Sequence, residues 1–258
     1  MAQHTGVIGS DKWLPLVRSS PRDVPVAAQC YRGISFKSTF EPVVLGCSDG
    51  LDYIVKAPKN AELKRAVCNE QVIGRLARAL CAPVPAAKVV QIPQTLVDAH
   101  SELAGIPAGP AHGSRYLPNT SKIRQGIKHA DVPANRGRFA LLAILYGLAG
   151  VAVEHQFFYE DETQLVWSFD HGHFFPGGPN WTIDTLAAGR PATADKRIVA
   201  GCALTPQELH DAARHLDDLS AETIAQAVAS PHDAWGLSDP ERVALAQHFE
   251  TRMNRLRA

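Results

Sequence analysis

Residues 139–153 read FALLAILYGLAGVAV, fifteen positions without a charge. A helix that is apolar all round has to be covered on every side. The run falls short of the about 18–20 residues that a membrane span needs, so it reads as a buried core helix. The rest of the chain must therefore wrap it. With 258 residues, 45% of them hydrophobic and 20% charged, there is enough material to do so, in one large domain or two smaller parts. Residues 1–13 hold no apolar signal core, and the expected location is cytoplasmic, with no membrane partner. Net charge is zero, which argues against a protein that grips nucleic acid backbone. That zero hides a split. Residues 1–130 carry 16 Lys and Arg against 9 Asp and Glu, and residues 131–258 carry 10 against 17. The five cysteines are scattered without a C-x-x-C, so reduced thiols are expected rather than disulfides or a zinc site.

Around the apolar run the patterning changes once. Residues 1–25 are polar and turn-rich and read as a loosely held arm. Strand signals begin near Val26, and Asp49-Gly50 marks a hairpin turn between EPVVLG and LDYIVKAP. From Asn60 the period becomes helical, with Leu63, Val67, Val72, Leu76 and Leu80 on one face and Asn60 as N-cap. Pro83 and Pro85 end that helix, and AAKVVQIP reads as a strand. Residues 98–118 are rich in Gly and Pro and are expected to be an irregular connector. Beyond the apolar helix, QFFYEDETQLVWSFD reads as two strands and HGHFFPGGPNW as a loop. Two further helices follow: one opens at Thr205 with Glu208 in a capping box, and the last runs from about Ser238 to Leu256. The plan is α+β: a β-rich part with one helix over 26–118, then a mainly helical part over 119–258.

Four places carry residues of chemical interest. Lys56 ends the apolar strand Tyr53-Ile54-Val55, as a lysine does in the V-A-I-K segment of protein kinases. Glu70 lies 14 residues on, inside the helix, where it could pair with that lysine. Asp170 ends another apolar strand and precedes His171-Gly172, a placement that suits a metal-binding carboxylate at a sharp turn. Glu154 and Gln156 leave the buried helix just before this second hairpin, one able to act as a base and the other to offer an amide to a metal. Cation on phosphate, carboxylate on metal and a group orienting the nucleophile are the parts that phosphoryl transfer needs. His171 and His173 also admit a transition-metal reading, but packing or hydrogen bonding beside the Asp-x-Gly turn is the more economical role for His171.

In this order the chain resembles the short bacterial HipA-like kinase domains. The residues that carry the resemblance are Tyr53-Ile54-Val55-Lys56, Asn69-Glu70 with LARALCAPVP after it, Gly113-Ser114-Arg115-Tyr116, and Phe169-Asp170-His171-Gly172. It extends over roughly residues 26–258. The resemblance implies a two-lobed protein-kinase-like fold, ATP and Mg²⁺ as cofactors, and phosphorylation of a Ser or Thr hydroxyl on a protein or small-molecule substrate. It gives Lys56 the phosphates, Glu70 the pairing with Lys56, and Asp170 the metal. Two departures stand out. The family's catalytic loop has Asp five residues before Asn. If Gln156 takes the Asn place, the Asp place falls on Val151, and a shortened loop would pass the role to Glu154. The phosphate-covering loop has one glycine, Gly33, leaving Ser35, Lys37 and Ser38 as candidate phosphate contacts. The alternative to an active kinase is a weak or inactive pseudokinase that binds nucleotide or acts as a scaffold.

Overall fold

The computed structural model describes residues 10–123, 126–151 and 156–257. Five strands close into a barrel in the order β1-β2-β3-β5-β4. They are β1 (Val26–Ser35), β2 (Val43–Cys47), β3 (Asp52–Lys56), β4 (Ala87–Ile92) and β5 (Gly109–Arg115). The hairpin expected at Asp49-Gly50 joins β2 to β3, with Gly50 at φ +79°. Its left-handed backbone suits glycine, which has no Cβ to clash. β1 pairs antiparallel with β2 and parallel with β4, which closes the ring.

Residues 98–118 are not an irregular connector. They contain β5, which sits between β3 and β4 and pairs with both. Its composition hid it. Gly113 is there because a Cβ would lie 2.5 Å from Val90 Cγ2, so only glycine lets the two strands approach.

The helix expected from Asn60 is α2 (Ala61–Ala79), and the Asn60 side chain accepts from the Leu63 amide at 2.9 Å. Twelve of its residues are buried, including the polar run Asn69, Glu70 and Gln71. This helix packs against β4 and β5 on one side and on α4 and α8 on the other. A short α3 (Gln94–Ala99) lies beside β1. The apolar run forms α4 (Pro133–Ala149), ended by Gly150 at φ +83°, and is buried along most of its length. Against it pack α6 (Lys196–Gly201), α7 (Pro206–Ala213) and α9 (Asp239–Arg257), while α5 (Ile183–Ala187) lies on α9 and α8 (Ala221–Ala229) on α2 and α9. Thr205 and Glu208 form the expected capping box of α7. A second sheet runs β6-β7-β8, with β6 (Thr120–Ile123), β7 (Phe157–Glu160) and β8 (Val166–Ser168). β6 was not anticipated, since its four polar-leaning residues carry no strand signal without their partner β7.

Two apolar clusters result. The smaller fills the barrel around Leu45, Val55, Val90 and Ile92. The larger gathers α2 and α4 with α8 and α9, and also takes Trp13 and Val17 from the N-terminal segment. That segment is not a loose arm: residues 10–19 form a helix, α1 (Ser10–Ser19). Trp13 is 1% exposed and its Nε1 donates to Glu250 Oε2 at 3.2 Å. Arg18 donates to Asp239 Oδ2 at 2.8 Å. The polar look of the arm comes from its outer face, and two buried side chains spaced four apart suffice to dock it.

Trp13→Ala should therefore lower unfolding stability by about 3–5 kcal/mol, as for other buried aromatic truncations. Removal of the exposed Lys12 ammonium, which pairs with Glu250, should cost far less. Chemical denaturation of the two variants checks this, and equal, small effects would mean that α1 is only loosely attached.

Candidate active site

Lys56 is the last residue of β3 and points toward α2. Its Nζ donates to Glu70 Oε1 at 2.5 Å and to Asp170 Oδ1 at 2.9 Å. The sequence separations are 14 and 114 residues. Strand, helix and turn thus converge on one cation. The lysine side chain is 13% exposed and Glu70 is 4% exposed, whereas Asp170 stays 38% exposed. One carboxylate is a dry internal partner and the other faces outward.

The turn that presents Asp170 is held from several directions. β8 delivers Phe169, which stacks on Phe158 with centroids 3.7 Å apart. Asp170 itself sits at φ +63°, a left-handed backbone that costs a non-glycine residue energy. Gln156 donates from Nε2 to Asp170 Oδ2 at 2.9 Å, so both carboxylate oxygens have partners. His171 turns inward, where its Nε2 meets Ser168 Oγ at 2.9 Å and its ring lies edge-on to Phe174. Ser168 Oγ continues to Tyr146 OH on α4 at 2.7 Å. Gly172 passes α2 so closely that a Cβ would come within 3.1 Å of Ala66 Cβ.

One residue on α2 pins that turn. Asn69 donates to the carbonyls of Gly172 at 2.7 Å and Gly178 at 3.3 Å, and its Oδ1 accepts from Trp181 Nε1 at 2.9 Å. Asn69 and Glu70 are neighbours, so one turn of helix fixes both the Asp-His-Gly segment and the lysine. Sequence reasoning placed Asn69 in a matching segment but gave it no task. It also passed over His112 on β5, whose Nε2 lies 3.6 Å from Glu70 Oε2, and Gln71, whose Oε1 is 2.9 Å from His112 Nδ1. Three successive polar residues among the apolar positions of α2 were the available signal.

Electrostatics follow from this packing. Burial opposes the Lys56 ammonium, but the Glu70 and Asp170 carboxylates outweigh it and raise its pKa. Burial pushes the Glu70 carboxyl up, against the pull of Lys56. Asp170 is lowered: burial would raise it, and the lysine beside it prevails. Burial holds His112 and His171 down at about 3, so both imidazoles are neutral.

The remaining expected residues fall as follows. Ser35 ends β1, and Lys37 and Ser38 lie exposed in the turn between β1 and β2. The same turn carries Phe40, whose ring lies 5.4 Å from Lys56 Nζ, so this loop reaches the site. Val151 follows the C-cap of α4 and packs against the large core. Glu154, expected as the base, lies outside the described residues, as does His155. Among the described residues, no group of three or more His, Cys, Asp or Glu converges as a metal-binding cluster, and no helix is long and apolar enough to cross a membrane.

The fold is similar to that of a solved kinase. A Helicobacter pylori proinflammatory kinase, CtkA, superposes with a TM-score of 0.59 at 12% identity, covering 90% of this chain and 95% of that one. The Golgi casein kinase solved with Mn and ADP bound gives a TM-score of 0.42 at 11% identity, covering 96% of this chain and 75% of that one. No curated protein matches. The segment from the end of β1 into α4, which carries Lys56, Glu70 and His112, is recognised by sequence: residues 34–142 match the model of the HipA-like kinase family.

Proposed function

We propose that this chain is an ATP- and Mg²⁺-dependent phosphotransferase acting on a Ser or Thr hydroxyl. Its site would lie in the cleft of a two-lobed, protein-kinase-like fold, between the barrel with α2 and the mainly helical remainder. One observation carries the reading: Lys56 Nζ lies within hydrogen-bond distance of both Glu70 and Asp170. Phosphoryl transfer asks little covalent chemistry of the protein and much positioned charge. A buried glutamate that fixes a lysine, beside an outward-facing aspartate, supplies both signs of charge where phosphate and metal would meet.

In this reading Lys56 binds nucleotide phosphates and Glu70 keeps its ammonium in place. Asp170 and the Gln156 amide carbonyl offer hard oxygen donors of the kind Mg²⁺ takes, and such a cation completes its shell from phosphate and water rather than from a protein cage. When bound, Mg²⁺ neutralises charge on the phosphates. Ser35, Lys37 and Ser38 face the phosphates from the β1–β2 turn, whose Phe40 already reaches Lys56. Glu154 takes the proton of the attacking hydroxyl. A second reading, a nucleotide-binding pseudokinase, is favoured by Val151: it stands in the place of the family's aspartate, and its side chain packs on the core.

Transfer from labelled ATP separates these readings. Wild type should label Ser or Thr in itself or in a lysate. Asp170→Asn should lower the rate about 10²–10³-fold, and Glu154→Gln about 10²–10⁴-fold. Absence of transfer together with thermal stabilisation by Mg·ATP would favour the pseudokinase, absence of both would sink both readings, and label on small metabolites alone would make it a small-molecule kinase.

Lys56→Met should abolish transfer and leave Glu70 buried without its cation, at a cost of about 3–5 kcal/mol at pH 7.5. The sign of its pH dependence is set by Glu70. With a folded pKa well above the unfolded one, the folded variant binds more protons, so its stability recovers as the pH falls toward 5. Chemical denaturation at the two pH values measures this, and a deficit that grows on acidification would contradict the assignment of Glu70 as the buried partner.

A further inference from the structure

A chain of polar side chains leads away from the site on the far side of Glu70. Asp23 lies at the lip of a surface cavity of about 410 Å³ that also borders Arg75 and Arg78. Its Oδ2 accepts from Gln71 Nε2 at 2.8 Å and from Arg75 Nε at 3.2 Å. Gln71 is fully buried on α2, and its Oε1 is 2.9 Å from His112 Nδ1. His112 Nε2 then faces Glu70 Oε2 at 3.6 Å.

The chemistry of these groups admits one hydrogen-bond direction. Asp23, ion-paired with Arg75, only accepts. The Gln71 amide must therefore turn its NH₂ to Asp23 and its carbonyl to His112. A carbonyl can only accept, so His112 carries its proton on Nδ1. Nε2 is left with a lone pair, and that lone pair faces the Glu70 carboxylate. At 3.6 Å this is no hydrogen bond. His112 thus fills the space beside Glu70, keeps water from it, and gives it no competing donor. Among the described residues, the close cation on this carboxylate is then Lys56. The groups facing this pair are Gln71 from α2, Lys56 from β3, and His171 and Asp170 from the Asp-His-Gly turn.

We propose that Asp23, Gln71 and His112 form a positioning chain that locks His112 as the Nδ1–H tautomer and thereby reserves Glu70 for Lys56. None of the three touches the reacting groups. The inference rests on the proposed kinase reading only for its effect on rate, since the tautomer is a property of the ligand-free protein.

Two-bond ¹H–¹⁵N correlation spectra of the imidazoles, with His112 assigned by loss of its signals in His112→Asn, test the chain directly. Wild type should show Nδ1–H. In Gln71→Met the ring should switch to Nε2–H, donating to Glu70. In Asp23→Ala, a surface change retained for the case that Gln71→Met fails to fold, the Gln71 amide is freed to flip and the tautomers should mix. Asp23→Asn keeps an acceptor for Gln71 and should restore Nδ1–H, and Arg75→Met should leave it unchanged. Nε2–H in wild type, or an unaltered Nδ1–H in both Gln71→Met and Asp23→Ala, overturns the proposal. Where wild type transfers phosphate, Gln71→Met should lower kcat about 10–100-fold with a smaller change in KM for ATP, and Asp23→Asn, which leaves the Gln71 amide in place, should retain most of the wild-type kcat. A wild type without transfer would count against the kinase reading and leave the tautomer result standing.

Discussion

The buried ammonium of Lys56 sets the terms for the rest of this molecule. A lysine that is 13% exposed has to be paired, because an isolated charge in such a place is prohibitive. Its two partners come from an α-helix and from a turn more than a hundred residues away, so satisfying one cation fixes the relation of barrel, α2 and Asp-His-Gly segment. α2 is the mediator. It packs on β4 and β5 on one side and on α4 and α8 on the other, and its three buried polar residues each serve a different neighbour. Asn69 holds the turn that carries Asp170, Glu70 holds Lys56, and Gln71 reaches His112.

The charge split follows the same geometry. The first 130 residues are net basic and the remainder net acidic. Several pairs join the halves: Lys56 with Asp170, Arg65 with Glu241 at 2.6 Å, Arg18 with Asp239 at 2.8 Å, and Arg22 with Asp233 at 3.4 Å. The exposed pairs contribute little energy singly. They do bias which surfaces meet, and like charges would oppose the same docking. A neutral sum therefore conceals complementary halves, and only the pair at Lys56 sits at the candidate site.

Much of this was legible in the sequence, for identifiable reasons. The β2–β3 hairpin, α2 with its Asn60 cap, α4 and the capping box of α7 are local, each specified by residues within a few positions of one another. β5 was not legible, because Gly109, Pro110 and Gly113 look like turn residues until Val90 is known to lie against Gly113. α1 was not, because Trp13 and Val17 need the distant α8 and α9 to be worth burying. At the candidate site, Lys56, Glu70, Gln156 and Asp170 could be named as candidates from their residue types and order. The tasks of His112, Asn69 and Gln71 could not be read, since nothing in their own segments says what they face. Chemistry-bearing residues advertise themselves by type, whereas the residues that orient them are known only through contacts.

The backbone at Asp170 adds a further argument. A non-glycine residue at φ +63° costs of order 1–3 kcal/mol and persists only where its surroundings over-determine it. Here they do: Phe169 is stacked on Phe158, His171 is tied to Ser168, and both carboxylate oxygens are engaged. A glycine at this position would relieve the strain, and Gly172 lies just two residues away. Retaining a strained aspartate makes sense if the carboxylate itself is needed at that spot. Its contact with Lys56 also has a consequence under the proposed reading. Lys56 gives two of its three N–H donors to Glu70 and Asp170, so a phosphate on Lys56 and a cation on Asp170 would each compete with the contact between them, and the two would change partners together. Because one gains an anion as the other gains a cation, that exchange preserves the charge balance around the buried Lys56 ammonium.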